Sequence, residues 1–315
     1  MSRVVVTDYT FPDLKQEQAA AGPDFAAFQC RTAEEVAAAV TGAEVALVQF
    51  APFTASAAAA MKPNGTIIRY GVGYNNIDLA AAAKHGHKVG YVPDYCADEV
   101  ADHTAAAALA ILRKLPQMDA SVRRGEWSAV RLAKPMKPFN QTVFGFFGLG
   151  QIGRAVLTRL KGFGFQFIAS DPGVSEADAA TLGVEQVSAE VLLQRADIIS
   201  LHAPATATTT GFFNAARFAT MQPHAMIVNS ARGQLIVEED LAAALTRGVI
   251  AGAALDVFHV EPLAADNPLR QAPNLLLTPH AAWYSDVAIH RLQELVAEDV
   301  RRALRGEGPR KPVPQ

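Results

Sequence analysis

Three polar landmarks interrupt strand-like apolar runs in the second half of the chain. They are Asn229-Ser-Ala-Arg232-Gly after Met226–Val228, Asp256-Val-Phe-His-Val-Glu261-Pro after Ala251–Leu255, and Thr278-Pro-His280-Ala-Ala-Trp283 after Leu275–Leu277. Open α/β sheets bind ligands beyond the carboxyl ends of their strands, so each run delivers a polar residue to one edge. An arginine, a carboxylate and a histidine meeting there suit hydride transfer to a carbonyl. A planar, permanently charged guanidinium holds a substrate carboxylate and polarises its C=O, the role given to Arg232. An imidazole titrates near neutral pH and exchanges the hydroxyl proton, the role given to His280. A neighbouring carboxylate orients that imidazole and favours its protonated form, the role given to Glu261.

Hydride chemistry needs a coenzyme, and a candidate site lies upstream. Gly148-Leu-Gly150-Gln151-Ile152-Gly153 follows the β-prone run Thr142–Phe147 and precedes the helix-like Arg154–Leu160. A second apolar run, Phe165–Ala169, ends at Asp171, 18 positions after Gly153. That is close to the roughly 20 expected for the acid that holds the adenosine ribose. Gly148 permits the tight turn, Gly150 lets backbone approach a pyrophosphate, and Gly153 lets helix and strand pack closely. The helix N-terminus offers unpaired N–H groups and about half a positive charge. A carboxylate at 171 repels a 2′-phosphate, and Pro172-Gly173 offers no cation, so NAD(H) is expected over NADP(H).

These groups need a scaffold. The first hundred residues alternate strand-like segments (3–7, 45–49, 66–70, 88–92) with helix-like ones (33–40, 56–61, 79–85), the pattern of a parallel sheet with helices on its faces. An alanine- and leucine-rich helix is expected over 98–115, and residues 116–140 read as an irregular loop or arm. Strand–helix alternation resumes at Gln141 and runs to about Leu277, and a last helix carries Val287, Leu292, Leu295, Val296 and Val300 at helical spacing. That stripe needs a partner, and the N-terminal sheet is the expected one. The fold class expected is therefore α/β with two doubly wound parallel-sheet domains and a cleft between them. Residues 1–98 with 285–315 would form a discontinuous substrate domain, and 99–284 the dinucleotide-binding domain.

Composition narrows the function classes. With 315 residues and a net charge of −3, the chain lacks the basic surplus of a nucleic-acid binder, and no apolar run is long enough to span a membrane. The N-terminus reads as a strand opening without a signal-peptide h-region, and Cys30 and Cys96 are expected as reduced thiols in a cytoplasmic protein. Those cysteines, 66 positions apart, and the scattered histidines have no metal-ligand spacing, so no metal is expected. Surface positions are expected for His85, His87 and His224, and an exposed or interfacial one for His290.

The sequence resembles the D-isomer-specific 2-hydroxyacid dehydrogenases, and within them the bacterial group similar to the C-terminal-binding proteins. The resemblance rests on Arg69-Tyr-Gly71-Val-Gly73-Tyr-Asn-Asn-Ile-Asp78, on 92–104, on the Gly148–Gly153 turn and on Leu201-His-Ala-Pro204. Ala231-Arg-Gly233, Asp256, Glu261-Pro262 and His280-Ala-Ala-Trp283 complete it. It implies a flavodoxin-like substrate domain, a Rossmann domain for NAD, a small 2-keto or 2-hydroxy acid as substrate and a homodimer. It also implies that the amides of the Gly71-Val72-Gly73 turn hold the substrate carboxylate, and that Thr104 and Asp256 lie near the nicotinamide. His202, Pro204, Thr209 and Ala231 would border the cofactor, and Arg69 and Trp283 the substrate. Taken alone, Arg69 equally suits an interdomain ion pair, Trp283 packing under a hinge, and Glu261 a turn before Pro262. Departures are Asn75 where the family usually has Asp, and Pro204-Ala-Thr where it often has Pro-Leu-Thr. Two rival functions share the architecture: oxidation of phosphite or another small anion, and NADH sensing without turnover.

Overall fold

The computed structural model describes residues 3–314. It divides into two compact units, one holding the chain up to Cys96 together with the chain from Tyr284 onward, the other Ala97–Trp283.

The first unit is built on five parallel strands, β1 (Val4–Val6), β2 (Phe25–Ala27), β3 (Val45–Val48), β4 (Thr66–Arg69) and β5 (Lys88–Tyr91), in the order β2-β1-β3-β4-β5. This is the flavodoxin-like order. β1 and β3 are buried along their whole length, as expected of strands covered on both faces. The long helix Asp286–Leu304 buries Ala288, Leu292, Val296 and Val300 and packs on the helix Lys15–Ala21 and on β3 and β4. Val287 instead faces outward, one position off the buried stripe.

Seven parallel strands make the second unit: β6 (Val143–Phe147), β7 (Gln166–Ser170), β8 (Glu185–Gln186), β9 (Ile198–Leu201), β10 (Met226–Asn229), β11 (Gly252–Leu255) and β12 (Leu275–Leu277). Their order, β12-β11-β10-β9-β6-β7-β8, reverses direction between β6 and β9, the crevice where doubly wound sheets take nucleotides. Alternation along β6 feeds two cores: Phe144 and Phe146 join Val156, Leu157 and Leu160 on one face, while Phe147 joins Leu201, Phe213 and Leu241 on the other.

The structure departs from the sequence reading in places. The helix expected over 98–115 spans Ala97–Leu112 and stops because Lys114 takes a left-handed backbone, φ 52°. A new helix, Leu115–Arg123, begins there with Pro116 at its first turn, where a missing N–H costs nothing. A short helix, Ala129–Ala133, follows. The stretch read as irregular is thus mostly helical. His87 is buried, accepting the Gly65 N–H at Nδ1 (3.1 Å) and facing the Ala58 carbonyl with Nε2 (2.8 Å). His224 pairs with Asp197. Both satisfy local backbone or carboxylate groups that no spacing rule reveals.

Candidate active site

Arg232, Glu261 and His280 lie in loops that follow β10, β11 and β12, three neighbouring strands. His280 Nδ1 meets Glu261 Oε2 at 2.6 Å, and the other carboxylate oxygen accepts the Phe258 N–H at 2.9 Å. Both Glu261 oxygens are therefore positioned, and the Nδ1 proton faces the acid, leaving Nε2 as the working nitrogen. Burial pushes the Glu261 carboxyl upward. The His280 hydrogen bond and charge, the Phe258 N–H and the Arg232 guanidinium outweigh it and hold the group below its ordinary range. Arg232 is set by its own turn: Asn229 Nδ2 donates to the Arg232 carbonyl (2.9 Å), Asn229 Oδ1 accepts the Ala231 N–H (3.0 Å), and Arg232 Nη1 donates to the Ala231 carbonyl (2.5 Å).

His280 takes a left-handed backbone, φ 52°, uncommon for a residue with a side chain. Asp256 holds it there. Its Oδ1 accepts Thr278 Oγ1 (2.6 Å) and the Ala281 N–H (2.9 Å), its Oδ2 accepts the Ala282 N–H (2.9 Å), and its carbonyl accepts the His280 N–H (2.8 Å). His103 Nε2 reaches Thr278 Oγ1 at 3.1 Å. The Asp256 carboxylate thus spends its oxygens on the turn that aims His280.

The glycine turn fits a dinucleotide. Gly148, at φ 94°, lies so close to the end of β9 that a Cβ would meet Ala203 N at 2.8 Å. A Cβ at Gly153 would meet the Gly148 carbonyl oxygen at 2.9 Å, whereas one at Gly150 would enter open space, where a pyrophosphate needs room. Gly150 caps the ten-residue helix Gln151–Leu160, which begins with Gln151 and Ile152. Asp171, beyond the end of β7, accepts the N–H groups of Leu149 (2.7 Å) and Gly173 (2.8 Å), and so sits beside the turn.

The remaining expected residues are placed as follows. His202 packs beneath the turn, its ring tilted against Phe146 and its Nε2 2.9 Å from Ser200 Oγ; burial pushes its pKa down to about 3, so it is neutral. Thr209 Oγ1 donates to the Pro204 carbonyl (2.5 Å) and accepts the Thr206 N–H (2.8 Å), knitting that loop. Thr104 is fully buried, donating to the Val100 carbonyl (2.7 Å), and Trp283 is half-buried. In the first unit, Arg69 donates to the Tyr70 carbonyl, and its guanidinium lies so near Gly71 that a Cβ there would overlap it, at 1.9 Å from Nη1. Val72 and Gly73, next along, are half-exposed.

Several residues received no positioning role in the sequence reading. Gly233 is one: a Cβ on it would meet the Phe258 carbonyl carbon at 1.9 Å and the His259 N at 2.5 Å, so the Arg232 loop lies directly on the loop leading to Glu261. Its place immediately after Arg232 was the available signal. Asn229, Thr278 and His103 are others, polar residues at strand ends or one helix turn away. Among the described residues, no group of three histidines, cysteines or carboxylates could hold a metal, and no helix is long and apolar enough to cross a membrane.

Residues 105–282 match the family model described as D-isomer specific 2-hydroxyacid dehydrogenase, NAD binding domain. Over 275 residues the chain is 40% identical to a D-3-phosphoglycerate dehydrogenase of Mycobacterium bovis, covering 87% of this chain and 52% of that protein. A glyoxylate reductase of Korarchaeum cryptofilum is 38% identical over 247 residues, covering 77% and 74%. The chain spans about half the length of the phosphoglycerate dehydrogenases it matches. Among solved structures, a D-lactate dehydrogenase from Aquifex aeolicus complexed with NAD and lactic acid aligns over 96% of both chains, with TM-score 0.87 and 26% identity. An acyclic imino acid reductase in complex with NADPH and D-Arg aligns over 99% of both, with TM-score 0.85 and 26% identity.

Proposed function

The chain belongs to the D-isomer specific 2-hydroxyacid dehydrogenase family, and we propose that it catalyses NAD(H)-dependent, reversible reduction of a small 2-keto acid to the D-2-hydroxy acid. The single observation that carries this reading is the 2.6 Å contact between His280 Nδ1 and Glu261, in a unit that also holds Arg232 and the glycine turn. A dinucleotide whose pyrophosphate the Gly148–Gly153 turn would hold would supply the hydride from its nicotinamide ring. Arg232 pairs with the substrate carboxylate and draws electron density toward the carbonyl oxygen. His280 gives the Nε2 proton to the oxygen as C2 is reduced, and Glu261, hydrogen-bonded at Nδ1, keeps the ring from rotating. Within the first unit the Gly71-Val72-Gly73 amides and Arg69 suit an anionic group, and within the second Trp283 shapes the choice of side chain. Thr104, Asp256, His202, Pro204, Thr209 and Ala231 border the cofactor, Thr209 by knitting the loop that carries Pro204.

Two further assignments accompany this reading. Asp171, with Gly173 beside it and no lysine or arginine following, favours NADH over NADPH. The helical arm 115–133 exposes Leu115, Val122, Val130 and Trp127, the last 91% exposed, an apolar set that suits a second copy of the chain in a cytoplasmic homodimer.

NADH oxidation against a panel of 2-keto acids, with phosphite tested in the oxidising direction, checks the function. Turnover of at least one keto acid supports it. Tight NADH binding with silence on every keto acid would leave a coenzyme sensor, and NAD reduction by phosphite alone a phosphite enzyme.

A further inference from the structure

We propose that Glu238 is a positioning residue for proton transfer, a buried carboxylate that fixes the loop carrying Glu261. Glu238 is the first residue of the helix Glu238–Thr246 and is 8% exposed. An acid at a helix start ordinarily serves the helix dipole, but these oxygens face elsewhere. Oε1 accepts the His259 N–H at 2.6 Å, and Oε2 accepts Asn267 Nδ2 at 2.6 Å. Asn267 Oδ1 accepts the Leu269 N–H at 2.9 Å, so the amide is oriented with its NH2 toward Glu238. Both oxygens thus meet uncharged donors, a backbone N–H and a side-chain amide.

A buried carboxylate is costly unless its hydrogen bonds are in place. Here both go to one loop. His259 follows Phe258, whose N–H fixes Glu261 Oε1, and Glu261 Oε2 faces His280. From beneath, Gly233 presses on the same Phe258–His259 peptide. The loop is therefore clamped between a glycine that sets how near it comes and a carboxylate that sets its register. Releasing the His259 N–H frees the peptide that aims Glu261.

The inference rests on the reading of Glu261 and His280 as the proton-transfer pair, and the test separates the two. In Glu238→Gln an amide NH2 must face either the Asn267 NH2 or the His259 N–H, donor against donor. Adding Asn267→Asp reverses the polarity: the Gln oxygen keeps the His259 N–H, its NH2 donates to the new carboxylate, and the other Asp oxygen still accepts the Leu269 N–H. Steady-state constants for the best keto acid, NADH affinity and melting temperature are measured for wild type, E238Q, N267D, E238Q/N267D and E261Q.

We expect E238Q to lose about 10- to 100-fold in kcat, the scale of a misplacement of about 1 Å, with KM and NADH affinity held within about threefold. The double variant should recover most of that loss. If E238Q does not fold, the comparison between N267D, which sets two carboxylates together, and the folded double variant carries the test. A wild-type kcat in E238Q beside an impaired E261Q overturns the positioning role. So does a folded double variant that recovers nothing. A wild-type kcat in E261Q would instead overturn the proton-transfer reading, and this inference with it.

Discussion

Replacing Gly233 by alanine tests whether the Arg232 and Glu261 loops owe their alignment to a direct backbone contact. An added Cβ would lie 1.9 Å from the Phe258 carbonyl carbon and 2.0 Å from its oxygen, both backbone atoms that cannot swing aside as a side chain would. To reach even 3.0 Å the two loops must part by about 1 Å, and a displacement of that size at a reacting centre costs roughly 10²-fold in rate. Overpacking adds about 1–3 kcal/mol of instability, or a few degrees of melting temperature for a domain of this size. The nucleotide turn hangs from β6 and β7, two strands away across β9, so NADH affinity should change little. The assay pairs coenzyme-fluorescence turnover with NADH titration and a thermal melt. G233A at or near wild-type kcat would refute the contact's role, and an equal loss of NADH affinity would show that the damage is not local to the two loops.

Other perturbations have defined outcomes. His280→Gln should lose about 10²- to 10⁴-fold in kcat, the usual worth of general acid–base help, while NADH titrates as in wild type. Because the Glu261 carboxyl is held below its ordinary range when folded, its contribution to stability is present above the unfolded carboxylate range, near pH 4 to 5, and is lost as pH falls through the lower folded value. Melting temperatures of wild type and E261Q should therefore differ at pH 7 and converge in acid; a constant gap would show that the His280 contact does not set that ionisation. Wild type should use NADPH at least roughly 100-fold less efficiently than NADH, and Asp171→Ala should shrink that preference by removing a charge-assisted hydrogen bond and a repulsion; an unchanged ratio of kcat/KM values would dismiss Asp171 as the discriminator.

Much of this was legible because the chemistry is punctuated by strands. Gly148 and Gly153 stand where backbone from β9 or from the turn itself fills the space of a side chain, a requirement the local pattern announces. Arg232, Glu261 and His280 each follow an apolar run, so their delivery to one edge followed from the parallel sheet. What stayed hidden depends on contacts through space. Glu238 reads as an ordinary acid at a helix start, and only the fold brings the His259 N–H and Asn267 to it. Asp256 reads as a polar residue pointing toward a cofactor, yet its carboxylate accepts the Thr278 hydroxyl before His280 and the Ala281 and Ala282 N–H groups after it. The helix Leu115–Arg123 hid behind Pro116, which marks a helix start as readily as a loop. His87 hid because its partners, Gly65 and Ala58, are backbone groups more than twenty positions away.

The most direct test of the central claim follows the hydrogen atoms. Reduction of a 2-keto acid with NADH deuterated at nicotinamide C4 should give the D-2-hydroxy acid with deuterium at C2 and a solvent proton on oxygen, and H280Q should form that product far more slowly. An L-configured product, unlabelled C2, or undiminished turnover in H280Q would contradict the arrangement of Arg232, Glu261 and His280 described above.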